Sequence, residues 1–338
     1  MSSSEIALTS NEIDMFVNDE PIFTEQEINT FSYELPERER PVPVIVPIFP
    51  IVRPNLPSPF TYAGSKAREL THILKYIPQQ FDHYVEPFVG GGSLFFHLNH
   101  NKNVVSDLSQ DTANMYHQIH LGNLRWVLDN LKKVGDWIQA TQDPTTLRNM
   151  FFSCRDEFNT LVKNDPAKRF SPTAFGMFYS YQKWTYYGWL KFTCDGFLGS
   201  TTARNKPSPT SRIVTTQKLE KHFSEYEDLL KKRTKVYCET YETIIQKYDN
   251  PSNFIFFDPP YDQTSTSNSL YNVPFSHAEH FKLATYFKQS DAKCLMILKD
   301  TQFIRDLYKE YIVDTYQTKY GNAKNPTVHL VIKNYAWN

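Results

Sequence analysis

Phe254-Ile255-Phe256-Phe257-Asp258-Pro259-Pro260-Tyr261 decides how the rest of the chain is read. Its four apolar residues predict a short buried strand that delivers Asp258 at its end. Two consecutive prolines fix φ and carry no N–H, so the backbone after Asp258 is stiff and offers carbonyl oxygens with no local amide competing for them. Tyr261 adds an aromatic face. A carboxylate, a bare carbonyl and an aromatic ring on a rigid turn suit a planar group bearing an NH2, such as adenine: two acceptors take the amino hydrogens while the ring stacks. The competing reading is an ordinary turn closing a strand, with Tyr261 as a packing residue.

Working outward, Tyr84-Val85-Glu86-Pro87-Phe88 and Val89-Gly90-Gly91-Gly92-Ser93-Leu94-Phe95-Phe96 read as a strand passing through glycines into a helix. Such glycines let backbone approach a ligand closely. The spacing is neither G-x-G-x-x-G nor a P-loop. A second strand, Asn103 to Ser106, ends at Asp107, where nucleotide-binding α/β folds place a ribose-binding acid. Together they point to a nucleoside cofactor lacking a diphosphate, against the alternative that Asp107 simply caps the next helix. Upstream, Tyr62-Ala63-Gly64-Ser65-Lys66 precedes a helical pattern through Leu70, Ile73, Leu74 and Ile77 that stops before Pro78. A lysine at a helix start suits a carboxylate or phosphate.

Composition sets the bounds. The 338 residues suffice for one large α/β domain with an insertion or for two domains, and a net charge of −1 gives no global basic field. Cys154, Cys194, Cys238 and Cys294 are scattered, which argues against a disulfide framework and against a metal site. Apolar runs are short and no basic-then-apolar leader opens the sequence, so neither a signal peptide nor a membrane span is expected. Residues 1–57 are acidic and then proline-rich, an extended arm expected to be mobile, although the Val42 to Val52 alternation also suits an edge strand or strap.

Residues 124–233 differ in character. Helical periodicity runs through Leu124 to Ile138 and Leu147 to Val162, and Phe170 to Phe197 is dense in aromatics punctuated by Lys183 and Lys191. A polar loop with Arg204, Lys206 and Arg212 follows, then a helix over Thr216 to Lys232. Basic side chains interleaved with aromatics suit phosphate contact and base stacking. The α/β pattern then resumes with a strand over Lys235 to Thr240, a helix over Tyr241 to Tyr248 and the opening strand. Beyond a lid-like polar loop at Gln263 to Tyr271 come a helix His277 to Phe287, a strand Lys293 to Leu298, a helix near Phe303 to Tyr308, and strands Tyr311 to Tyr316 and Thr327 to Ile332 that could pair through Gly321-Asn322.

In this order and spacing, the Tyr62–Lys66 loop, Glu86-Pro87-Phe88-Val89-Gly90-Gly91-Gly92-Ser93, the helical insertion and Asp258-Pro259-Pro260-Tyr261 resemble the Dam-type DNA adenine-N6 methyltransferases, from about Phe60 to the C-terminus. Tyr237-Cys238-Glu239-Thr240-Tyr241 looks like that family's strand beside the cofactor adenine, and Tyr187-Gly188-Trp189-Leu190-Lys191-Phe192 lines up loosely with its DNA-contacting stretch. The resemblance implies an α/β fold with a Rossmann-like methyltransferase sheet, helices on both faces and an inserted helical target-recognition domain. The catalytic parts would span 58–123 and 234–338, with 124–233 for target recognition. It implies S-adenosylmethionine as cofactor, held by Tyr62, Ala63, Gly64, Lys66, Glu86, Pro87, Phe88, Gly90, Gly91, Gly92, Asp107, Thr240, Tyr241 and Asp258. Lys66 and the glycines would surround its methionine end and Asp107 its ribose. Catalysis would fall to Asp258, Pro259, Pro260 and Tyr261, without a metal. Double-stranded DNA would be the substrate, contacted by Lys183, Tyr187, Lys191, Arg204, Lys206 and Arg212. Further expectations are a monomer or weak dimer in the cytoplasm of a bacterial or phage-infected cell, not membrane-bound, with a cognate restriction enzyme as a conceivable partner.

The departures matter. Thr193-Cys194-Asp195-Gly196-Phe197-Leu198-Gly199-Ser200 replaces the family's Asn-x-x-Gly-x-Phe-Asn-Val-Pro, Lys191 stands where arginine is typical, and Lys299-Asp300 replaces a Ser-Asn pair. Lysine cannot repeat arginine's bidentate contact to guanine, so a GATC target does not follow. Two rivals stay open: methyl transfer to RNA adenine or a protein amide, and a catalytically silent nucleic-acid-binding protein that kept the fold.

Overall fold

The computed structural model describes residues 55–60, 62–140, 143–185, 190–193, 195–199, 217–262, 275–319 and 326–336. Tyr187, Arg204, Lys206, Arg212, most of the proline-rich arm, the loop Gln263 to Tyr271 and the Gly321-Asn322 turn lie outside them; of Lys183 only the backbone is described.

Seven strands form one sheet: β1 Tyr84–Glu86, β2 Asn103–Ser106, β3 Thr234–Tyr237, β4 Phe254–Phe257, β5 Lys293–Lys299, β6 Ile312–Thr318 and β7 Thr327–Lys333. Their order is β3-β2-β1-β4-β5-β7-β6. The first five are mutually parallel, and β7 runs antiparallel between β5 and β6. Central strands such as β4, apolar at every position, are buried on both sides, as parallel strands covered by helices must be. Side chains alternate into two layers. Tyr84, Val105, Phe254, Phe256, Leu295 and Ile297 enter one core. Val85, Val104, Ile255, Phe257, Met296 and Leu298 enter the other.

The described helices are α1 Leu70–Ile73, α2 Ser93–Leu98, α3 Gln110–His120, α4 Leu124–Ala140, α5 Pro144–Asn164, α6 Pro172–Trp184, α7 Gln217–Lys221, α8 Phe223–Glu227, α9 Tyr241–Tyr248, α10 His277–Gln289 and α11 Gln302–Tyr308. The second core packs α9, α10 and α11. The first packs α2 and α3 and continues without a break into the insertion, through Leu128, Phe158, Phe175, Phe178 and Tyr179. Phe60 is a joint in that continuity, its ring meeting Phe96 and Tyr116 on one side and Phe175 and Tyr179 on the other. Burying one aromatic cluster from both parts holds the insertion against the sheet. The end of the proline-rich arm is packed too: Leu56 is buried, its amide donates to Phe96 O, and Pro57 O accepts from Tyr226.

Three expected elements differ in detail. The helix over Thr216 to Lys232 is broken at His222, whose φ of −118° and ψ of 27° leave the helical region, and it ends in a π turn, Asp228–Lys232. Thr234 Oγ1 donates to Leu229 O, tying that turn to β3. β3 stops at Tyr237, and Thr240 instead caps α9, accepting from Thr243 N. The cap of α3 is Ser109, which leaves Asp107 for another task.

Candidate active site

Strand order reverses between β1 and β4, so a crevice opens beyond their C-terminal ends, where doubly wound sheets bind ligands. A cavity of ≈ 370 Å³ lies there. It is lined by every residue assigned to the cofactor from sequence: the Tyr62–Lys66 loop, Glu86 to Phe88, Gly90 to Gly92, Asp107, Thr240, Tyr241 and Asp258. Pro260 joins them. Pro259, which is buried, and Tyr261 are not among the lining residues; the Tyr261 ring lies 5.1 Å from Lys66 Nζ and 5.2 Å from the His329 ring.

The glycine loop is shaped by close neighbours. A Cβ on Gly91 would stand 2.7 Å from Tyr62 Cβ, and one on Gly92, at φ +61°, 2.5 Å from Tyr116 OH. Glycine is what lets Tyr62 lie on the loop and lets Tyr116 donate to Gly90 O at 2.9 Å. Asp107 locks the loop from below: its carboxylate accepts from Gly90 N and Ser109 N, each at 2.9 Å. Burial pushes the Asp107 carboxyl up to about 6, against the pull of those amides. Glu86, buried and accepting from Tyr84 OH at 2.7 Å, is pushed well above the carboxylate range by burial and by the nearby Asp258 charge.

Lys66, expected beside the methionine end of a cofactor, turns its ammonium to Asp258, 2.7 Å from both carboxylate oxygens. Burial raises the pKa of Asp258, and the lysine charge works against that rise. Behind the pair, Glu69 accepts from Tyr316 OH at 2.6 Å and from His329 Nδ1 at 2.7 Å. Burial would raise Glu69, but the His329 bond, the Lys66 charge and Tyr316 hold it at about 2. Lys66 thus answers two carboxylates, the buried Glu69 and the half-buried Asp258.

The fold and the strand-end acids leave the class of the chain to its sequence relatives, and these decide it. The family model for D12 class N6 adenine-specific DNA methyltransferases matches residues 62–322. This chain belongs to that family. The type II methyltransferase M.CviBI of Paramecium bursaria Chlorella virus NC1A is 30% identical over 285 residues, covering 81% of this chain and 98% of that protein. The type II methyltransferase M.MjaIII of Methanocaldococcus jannaschii is 25% identical over 260 residues, 73% of this chain and 84% of that one. The DNA adenine methylase of Escherichia coli K12 is 23% identical over 228 residues, 66% and 70% of the two chains.

As a D12 class methyltransferase the chain methylates adenine N6 in DNA at specific sites. Its family generally uses S-adenosylmethionine. Among the described residues no helix is long and apolar enough to cross a membrane, and no group of three or more His, Cys, Asp or Glu could hold a metal ion.

Several cavity residues of this methyltransferase carry no signal in the sequence. Phe275, just before α10, and Glu279, in its first turn, close one side, where Tyr241 OH donates to Glu279 at 3.2 Å and Phe88 stacks on Tyr241 at 5.3 Å. Phe178 and Gln182 of α6, with Leu190 and Phe192, add a wall from the insertion. Phe192 bridges to Leu198 in a small hairpin fixed by Asn159, whose side chain both donates to Leu198 O (2.8 Å) and accepts from Leu198 N (2.9 Å). Tyr181 OH and Arg169 add bonds to Gly199 O and Gly196 O. Lys191, expected to touch DNA, is exposed on this braced hairpin.

Proposed function

We propose that this enzyme binds S-adenosylmethionine in the strand-end cavity and transfers its methyl group to N6 of an adenine flipped out of duplex DNA. The supporting observation is that Asp258, at the end of β4, faces the same cavity as the strand-end carboxyls Glu86 and Asp107. The residues present fit the cofactor. Each Asp107 oxygen keeps a lone pair for ribose hydroxyls, Phe88, Tyr241 and Phe275 offer aromatic surface, and carboxylates suit a cationic sulfonium. When bound, S-adenosylmethionine supplies an electrophilic methyl group.

The chain's own residues do the rest by positioning. Asp258 and the Pro259 carbonyl accept the two N6 hydrogens, favouring a pyramidal nitrogen whose lone pair is available for attack. Tyr261, whose ring lies 5.1 Å from Lys66 Nζ, is the aromatic face on which the flipped base would stack. Lys66 favours the charged form of Asp258 against burial and aims its carboxylate before substrate arrives, so no reorganisation is needed during transfer. The insertion 124–233 reads DNA, with Lys191 on its braced hairpin and Lys183, Tyr187, Arg204, Lys206 and Arg212 as further contacts, and 58–123 with 234–338 carries the chemistry.

Labelled methyl transfer from S-adenosylmethionine to unmethylated genomic DNA, followed by mapping of N6-methyladenine, tests this. Asp258→Ala is expected to lower transfer by about 10³-fold or more while cofactor affinity stays within a few fold. Full activity in that variant, or transfer to RNA or peptide and none to DNA, sinks the reading.

A further inference from the structure

Gln182, on α6, is 1% exposed and lines the cavity, yet neither its Oε1 nor its Nε2 meets a hydrogen-bond partner. A carboxamide carries two donors and an acceptor, and burying them unmet is costly enough that each such group in a native fold calls for an explanation. Neighbouring polar groups on this helix and at its C-cap are satisfied: Tyr181 OH donates to Gly199 O at 3.0 Å and Thr185 Oγ1 to Gln182 O at 2.8 Å. A leucine or methionine would fill this position without that cost. The partner of Gln182 therefore comes from outside the chain, and the cavity is the side from which it comes.

The surroundings select that partner. Phe178 lies one turn earlier on α6, and Leu190 and Phe192 complete the wall, so Gln182 is its one polar side chain among the described residues. An ionic group would find no counter-charge there, whereas a flat neutral heterocycle finds aromatic surface and an amide edge. Asp258 and its Lys66 partner come from the sheet and the Tyr62–Lys66 loop. Under the function proposed above, on which this step rests, the N6 hydrogens go to Asp258 and Pro259, leaving the ring nitrogens beside the amino group, N1 and N7, as bare acceptors. We infer that Gln182 is a specificity-determining residue that donates from Nε2 to one of those ring nitrogens of the target adenine.

Duplexes carrying 7-deazaadenine or 1-deazaadenine at the mapped target each lack one of these nitrogens and keep N6. The wild-type enzyme is expected to lose about 10- to 100-fold in kcat/KM on one of the two. Gln182→Leu is expected to lose a similar factor on natural DNA, to stop discriminating between natural and deaza bases, and to bind S-adenosylhomocysteine as tightly as wild type by calorimetry. Its Tm should rise, because the unmet amide is gone. A wild-type enzyme indifferent to both deaza bases overturns the inference, and that arm needs no variant. So does a Gln182→Leu enzyme that keeps the deaza penalty, or one whose only defect is weaker S-adenosylhomocysteine binding. Failure of the underlying function looks different: no Asp258-dependent transfer to natural adenine by the wild-type enzyme.

Discussion

The cavity has two unlike sides. On the sheet side the acids described above are already held by the protein: Asp107 by two backbone amides, Asp258 by Lys66, Glu86 by Tyr84, Glu69 by Tyr316 and His329. On the insertion side the wall is apolar, and Gln182 is unmatched. The contrast follows from what each side would meet. Groups that act on charge developing during transfer work best when fixed in advance, at no reorganisation cost. A base enters and leaves, and a group that recognises it must stay free until then.

The sheet side should break hardest. Lys66→Met leaves Asp258 buried without its counter-charge, and loss of about 3–5 kcal/mol of stability is expected, measured by chemical denaturation. With the lysine gone, burial and the nearby Glu69 charge push the Asp258 pKa up further, opposed only by His329. Lys66→Met/Asp258→Asn should recover most of the stability and none of the activity. A stable Lys66→Met enzyme would mean that the ion pair is not what holds this side together.

A smaller effect sharpens the role of Asp107. Its carboxyl is pushed up to about 6 by burial, so it is ionised at neutral pH and gains its proton as the pH falls through that value. Cofactor affinity should therefore weaken between about pH 7 and pH 5, as the acceptor for ribose hydroxyls is lost. Asp107→Asn should bind about 10-fold more weakly at neutral pH and show no such slope. A slope that survives in the variant assigns it to another group.

The two sides also differed in how far the sequence exposed them. Strands β1, β2 and β4, the helix Tyr241–Tyr248 and the strand-end acids were legible because each is a local pattern: an apolar run, a glycine cluster, an acid at a fixed offset. The Lys66 to Asp258 pair joins residues 192 apart, and the Glu69 to His329 bond spans 260, so no spacing announces either. Gln182 was hidden differently. It sits in an aromatic helix whose periodicity predicts core, and only the position of the cavity distinguishes a core residue from a wall. Phe60 and its neighbours join the aromatic stretch to the core of the sheet. Packing of that kind depends on which faces meet, and a linear pattern does not carry it.

The smallest expected effect concerns the outer edge of the insertion side. Lys191 is exposed on a hairpin whose backbone is fixed by Asn159, Tyr181 and Arg169, so its substitution should leave the fold intact. Lys191→Ala is expected to weaken DNA binding by about 2- to 5-fold at low salt and to reduce the slope of log affinity against log salt by about one, if the ammonium meets a phosphate. Sequence preference would then be unchanged, because phosphate contacts position the protein without reading bases. A relaxed preference at one base pair with an unaltered salt slope would instead place Lys191 on a base edge. In that case reading of the duplex and reading of the flipped base would both belong to the insertion, and the division between a fixed chemical side and an adaptive recognition side would extend from the cavity to the DNA surface.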